Sequence, residues 1–215
     1  MRFPPIPVWA PWGALGVLAG MALLWAVKPP EGEGGGGGWG GSGPTGPDPF
    51  AGIPVDPYAS LEPEDACDPV AKPGVLLFRQ WILDKFGQKP GSPQNILRDC
   101  SIGGASGHKQ GKAWDIMTNS IEHGQKIVDL LTAPGPGGEP DALARRAGIR
   151  YMIWDKRMWR AYPYEGNPSG AWAPYTKGEA ASPHTDHIHF SFSKDGADGK
   201  TSLYDVLKNT PEAIA

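Results

Sequence analysis

The sequence predicts an α+β domain carried behind an apolar N-terminal segment and a Gly/Pro-rich tether. Helical and strand periodicities are mixed without regular βαβ alternation, which favours a small antiparallel sheet with flanking helices. Gly and Pro supply 55 of the 215 residues, and 18 of these fall within residues 29–60. That share excludes a helical bundle or coiled coil, and its uneven placement excludes uniform disorder. Lys and Arg number 20 against 23 Asp and Glu, for a net charge of −3. No basic stripe interleaves with aromatics, so nucleic acid is not an expected partner.

Residues 8–27, VWAPWGALGVLAGMALLWAV, carry no charge, and as a helix they would span about 30 Å, the thickness of a bilayer core. With Arg2 before them, the C-terminal bulk is expected outside the cytoplasm. Residues 1–28 thus read as a signal anchor, or as a signal peptide if cleaved. Residues 29–60 read as a disordered linker with too little apolar surface to offset ordering entropy. The expected folded domain is 61–215, extracytoplasmic and either anchored to the cell membrane or secreted. Cys67 and Cys100 are the only cysteines, and on an oxidising side they are expected to form a disulfide.

Within that domain Val75, Phe78, Ile82 and Phe86 recur at helical spacing before Gly87. Short strands are expected at Asn95–Arg98 and Lys112–Met117. Asn119 with Glu122 reads as a capping box opening a helix through Leu131. A further helix is expected over Asp141–Ala147, then strands at 149–154 and Arg157–Trp159 turned by Asp155-Lys156. A strand His187–Ser193 and a helix Ser202–Lys208 complete the reading.

Four of the five histidines fall in two clusters. In SGHKQGKAWDIM, His108 sits in a Gly-rich loop and Asp115 follows on a predicted strand. In PHTDHIHFSF, the two-residue strand period places His187, His189 and Ser191 on one face and Ile188, Phe190 and Phe192 on the other. A strand anchored by three large apolar residues can hold its opposite face rigidly, as a metal site requires. His108, Asp115 and His189 offer two nitrogens and one carboxylate oxygen, a set that suits one Zn2+ ion. Such an ion acidifies water and polarises a carbonyl, and Asp186, three residues before His189, is a suitable general base. His187 and His184 read as supporting partners or transition-state donors. Arg98 could orient a substrate oxygen through its forked guanidinium. His123 reads as a surface residue. In the aromatic stretch 154–175, Trp154 and Trp159 read as core, as does Trp114, while Trp172 and Tyr175 are candidates to line a substrate groove.

The two motifs, Ser106-x-His108-x-x-Gly111-x-Ala113-x-Asp115 and Asp186-His187-Ile188-His189, resemble those of the zinc D-peptidases of the VanY-like D-alanyl-D-alanine carboxypeptidase family. That family belongs to a superfamily that includes lysostaphin-type enzymes and the Hedgehog signalling domain. The resemblance runs from about Asp65 to Ser193. CDPVAKPG, RDCSIGG and the stretch from IRYMIWDKRMW to PHTDHIHFSF are further similar to secreted or anchored actinobacterial proteins carrying this domain. The resemblance implies zinc on His108, Asp115 and His189, Asp186 as base, and peptidoglycan stem peptides as substrate. Asp186-His187 stands where the family often has Glu-Trp, nearer its endopeptidase and murein-hydrolase branches. The family's substrate-contacting arginine lies farther upstream of the first histidine than Arg98 does. The Hedgehog domain adds an alternative, a non-catalytic cell-wall binding module stabilised by zinc.

Overall fold

The computed structural model describes residues 48–175 and 182–209. The apolar stretch 8–27 and residues 29–47 of the expected linker lie outside them; among the described residues no helix is long and apolar enough to cross a membrane.

The domain is α+β. Strands β1 (Ala113–Met117), β2 (Ile149–Trp154), β3 (Arg157–Arg160), β4 (Trp172–Pro174) and β5 (His187–Phe192) form one antiparallel sheet in the order β1-β5-β2-β3-β4. The helices are α1 (Pro73–Phe86), α2 (Ile121–Thr132), α3 (Ala142–Arg146), α4 (Lys194–Asp198) and α5 (Ser202–Asn209). Strand alternation sorts the side chains into two faces. Trp114 and Ile116 of β1, Ile188, Phe190 and Phe192 of β5, and Met152 of β2 join the helices in one core. Asp115, His189, Tyr151 and Ile153 share the opposite face through the register pairs Asp115↔His189, His189↔Ile153 and Ser191↔Tyr151. Phe78 of α1 centres the core, in edge contact with Trp81, Trp114, Phe190 and Phe192 at ring-centroid distances of 5.1–6.2 Å.

Several expectations shift. Asn95–Arg98 is not a strand: Asn95 has φ 45°, and the segment's backbone contacts are Asp115 N–H to the Asn95 carbonyl and Arg98 N–H to the His108 carbonyl, too few for a ladder. Helix α2 is capped by Ser120, whose hydroxyl accepts from the His123 amide, rather than by Asn119. His123 is half-buried: its Nδ1 accepts from the Asn119 amide, and its Nε2 lies 3.1 Å from the Phe86 carbonyl at the end of α1. Strand β4 and helix α4 were not expected from the sequence; α4 holds Gly196, a poor helix former, but Ser193 caps it through the Gly196 amide.

Part of the stretch expected as linker, 29–60, is packed against the core instead. Phe50 is 2% exposed and lies under the Arg146 guanidinium, which donates to the Ile53 and Pro54 carbonyls. Asp56 accepts from the Ser202 hydroxyl and amide, and Tyr58 donates to Asp141 at 2.6 Å while packing near Trp159. The Gly/Pro count merges this stretch with the glycine run before it, but two aromatics that each bury roughly 150–250 Å² can offset its ordering.

Candidate metal centre

The first motif builds its site locally. Ser106 accepts from the His108 amide and opens a short 3₁₀ turn, Gly107–Gln110, which Gly111 closes in the left-handed conformation at φ 62°. A Cβ on Gly111 would stand 1.9 Å from the Val70 carbonyl oxygen, so this position demands glycine. The turn presents His108, whose Nδ1 donates to the Ile96 carbonyl at 3.0 Å and leaves Nε2 as the free donor atom. Beyond it β1 carries Asp115 directly opposite His189 of β5.

His189 Nδ1 lies 2.8 Å from Asp115 Oδ1 and 3.2 Å from His108 Nε2, and His108 Nε2 lies 3.3 Å from Asp115 Oδ1. Three donors held at 2.0–2.1 Å by a tetrahedral ion stand about 3.3 Å apart, so the group fits such an ion and can hold a metal. Its charge state fits as well. Burial raises the Asp115 carboxyl, but the adjacent imidazoles of His108 and His189 outweigh it and hold the group well below the usual carboxylate range. Burial pushes His189 down, against the pull of Asp115. Both therefore present the deprotonated form that metal binding needs.

The other expected residues divide. Asp186 is exposed and accepts from His187 Nδ1 at 2.7 Å, a bond that lowers its pKa. The His187 ring lies 4.6 Å from that of His184, which lies 6.1 Å from His189. His184 is buried, and burial pushes it down to about 4, so it is neutral at neutral pH. Its loop is pinned by the β2–β3 turn, where Asp155 and Lys156 both have positive φ and donate to the His184 and Pro183 carbonyls. The Lys156 carbonyl in turn accepts from the Tyr175 amide, and the Tyr175 ring stands edge-on to His184 at 5.4 Å. Trp172 pairs with Trp159 in the ladder, packs against the core and carries Arg157 over its ring. Arg98 is exposed, and its amide bonds the His108 carbonyl; among the described residues no hydrogen bond or ion pair joins its side chain to the metal group.

Sequence reading missed a second polar layer on this face. A register shift between Ile149 and Tyr151 accompanies the placement of Arg150 on the polar side, where its guanidinium pairs with Glu64 and donates to Ser191 Oγ and the Glu62 carbonyl. Tyr151 donates to Glu64 at 2.9 Å and stacks on His189 at 5.4 Å. The available signal was an arginine inside the otherwise apolar run IRYMIW, since a buried charge requires a partner.

Cys67 and Cys100 form a disulfide with Cα atoms 5.9 Å apart. It ties the segment carrying Glu62 and Glu64 to the loop before His108, and Lys109 donates to the Cys100 and Gly103 carbonyls from within the His108 turn. Replacing both cysteines by serine is expected to cost about 2–4 kcal/mol in denaturant unfolding and to weaken metal affinity in the same protein. Unchanged affinity would mean that the bridge does not support His108.

No curated protein and no solved structure matches the chain. A family model described as "VldE, C-terminal domain" matches residues 67–188, from the first cysteine through His108, Asp115 and Asp186 to the residue before His189. With more than half of its length matched, the chain belongs to the VldE C-terminal domain family.

Proposed function

We propose that the protein is a zinc-dependent hydrolase of peptide bonds in peptidoglycan stem peptides, of the D,D-carboxypeptidase or endopeptidase type. The observation that carries this reading is the convergence of His108, Asp115 and His189 on one open sheet face, with the hydrogen-bonded Asp186–His187 pair beginning the same strand. The VldE-family match and this donor set are compatible with a metallohydrolase. Zinc held by His108 Nε2, Asp115 Oδ1 and His189 Nδ1 would supply Lewis acidity toward water and the scissile carbonyl. Asp186, kept ionised by its bond to His187, accepts a proton from the attacking water and returns it to the leaving amine as the C–N bond breaks. His187, oriented through Nδ1, would as the imidazolium donate from Nε2 toward the developing oxyanion. An extracytoplasmic location agrees with the disulfide, and anchoring through residues 8–27 agrees with their apolar length.

Incubating the full-length, zinc-loaded protein with purified peptidoglycan and following new amino termini tests the reading. Release is expected, and Asp186→Ala should lower its rate at least about 10²-fold while zinc remains bound. Absence of release, or release indifferent to Asp186→Ala and to chelator, would leave the zinc-stabilised binding module as the better account.

A further inference from the structure

The two histidine donors of the metal group are held in different ways. His108 donates from Nδ1 to the Ile96 carbonyl, and that bond sets the plane of its ring. His189 turns its Nδ1 toward Asp115 and His108, and among the described residues no hydrogen bond reaches its Nε2. Ring contacts hold it instead. The Tyr151 ring lies 20° from parallel to it at a centroid distance of 5.4 Å, and the His184 ring stands edge-on at 6.1 Å. His184 comes from a loop, whereas Tyr151 comes from β2, which is paired on both sides by β5 and β3. Tyr151 is therefore the stiffer support, and whatever fixes Tyr151 bears on the donor it backs.

The Tyr151 hydroxyl is fixed by Glu64. Glu64 Oε1 accepts from that hydroxyl at 2.9 Å and from Ser191 Oγ at 3.2 Å, and it pairs with the Arg150 guanidinium. Arg150 is 1% exposed, and its guanidinium lies 5.2 Å from the centre of the Tyr151 ring. Among the described residues Glu64 is the carboxylate that forms an ion pair with it. Without Glu64 the guanidinium would stand buried and unopposed on the face that must accept a divalent cation.

The same residue reaches the other histidine. The Glu64 carbonyl accepts from the Ser106 amide at 3.2 Å, and Ser106 caps the turn that carries His108. Gly107, next in that turn, comes so close that a Cβ on it would stand 3.2 Å from Ser191 Oγ and 3.3 Å from Glu64 Oε1. The disulfide at Cys67 ties this segment to Cys100 as well. Glu64 thus touches the supports of two donors that are 81 residues apart in the chain. It does so from outside residues 67–188, the part that the family model matches.

We propose that Glu64 is a positioning residue for the metal centre: by holding the Tyr151 hydroxyl and neutralising Arg150, it fixes the His189 ring with Nδ1 toward the ion. The inference rests on the zinc centre of the reading above and goes beyond it, because it assigns the geometry of that centre to the segment leading into the domain. It is the same whether the ion serves hydrolysis or a binding module.

The test uses the full-length protein. Zinc affinity is measured by competition with a chromophoric chelator, and the visible absorption of the cobalt(II)-loaded protein reports how the donors stand around the ion. Glu64→Ala should weaken zinc binding by about 10- to 100-fold and alter the cobalt spectrum. Tyr151→Phe, which keeps the ring without the hydroxyl, should weaken it by about tenfold with a similar spectral change, and it carries the test if Glu64→Ala does not fold. Because both act through one bond, the double variant should lose no more than about twofold beyond Glu64→Ala alone. Tyr58→Phe breaks the bond that docks the same segment to Asp141 at the start of α3. It should leave affinity and spectrum unchanged, whatever it does to stability. Wild-type affinity and spectrum in Tyr151→Phe, additive losses in the double variant, or an equal loss in Tyr58→Phe would each overturn the inference. A wild-type protein that binds neither zinc nor cobalt would sink the metal centre and this inference together. Tight binding indifferent to Glu64 would sink this inference alone.

Discussion

Replacing His189 by alanine should leave the full-length protein without stoichiometric zinc and lower peptide hydrolysis by about 10³-fold or more. The size follows from what the ion supplies, several kcal/mol of charge stabilisation, at a factor of ten in rate per 1.4 kcal/mol. His189 is the right position for the test because its Nδ1 is the point at which the other two donors meet, 2.8 Å from Asp115 and 3.2 Å from His108. The substitution also leaves Asp115 buried with one fewer partner, so its carboxyl should rise from its depressed value. Chelator should reproduce the loss in the wild type, and zinc should reverse it. Zinc affinity should fall as pH drops, since protons compete for the two histidine nitrogens. Metal analysis and rates measured on the same preparation decide the matter: a variant that keeps stoichiometric zinc and wild-type rates would remove the metal centre from any account of this protein.

The largest effect on stability is expected at Phe78→Ala, about 3–5 kcal/mol in denaturant unfolding with little change in slope. Phe78 is fully buried and touches four aromatic rings, two of them, Phe190 and Phe192, on β5. Neighbouring rings of that size cannot collapse into the space of a benzyl group without leaving their rotamers. The same face of the sheet backs the site. Trp114 precedes Asp115, and Phe190 follows His189, so a loosened core should also weaken zinc binding. Leu76→Ala, two residues away on α1 but 44% exposed, should cost within about 0.5 kcal/mol. Similar losses for the two variants would mean that α1 is not held as described.

Much of this was legible in the chain. The helix α1 was visible from Val75, Phe78 and Ile82 because a packed helix must repeat its apolar side every three to four residues. The faces of β1 and β5 were visible from AWDIM and HIHFSF because a strand alternates strictly. The same alternation put Asp115 and His189 away from the core, and the Ser106-to-Asp115 motif worked as a local device: a cap, a donor, a glycine that lets Val70 approach, and a strand. Local signals misled where they were thin. Asn95–Arg98 looked like a strand but has no ladder, and β4 is only three residues long. Residues 48–60 looked like tether because their Gly and Pro content hid Phe50 and Tyr58.

What the sequence determined by itself was therefore everything set by spacing along the chain: fold class, the core stripe, the donor residues and the side of the strand each occupies. The tertiary structure decided which of those strands are neighbours. Asp115 and His189 are 74 residues apart and meet only because β5 inserts between β1 and β2. Glu64 reaches Arg150 across 86 residues. Such pairings depend on sheet order and on which charges are satisfied elsewhere. Those are properties of the whole folded arrangement, and no local periodicity encodes them.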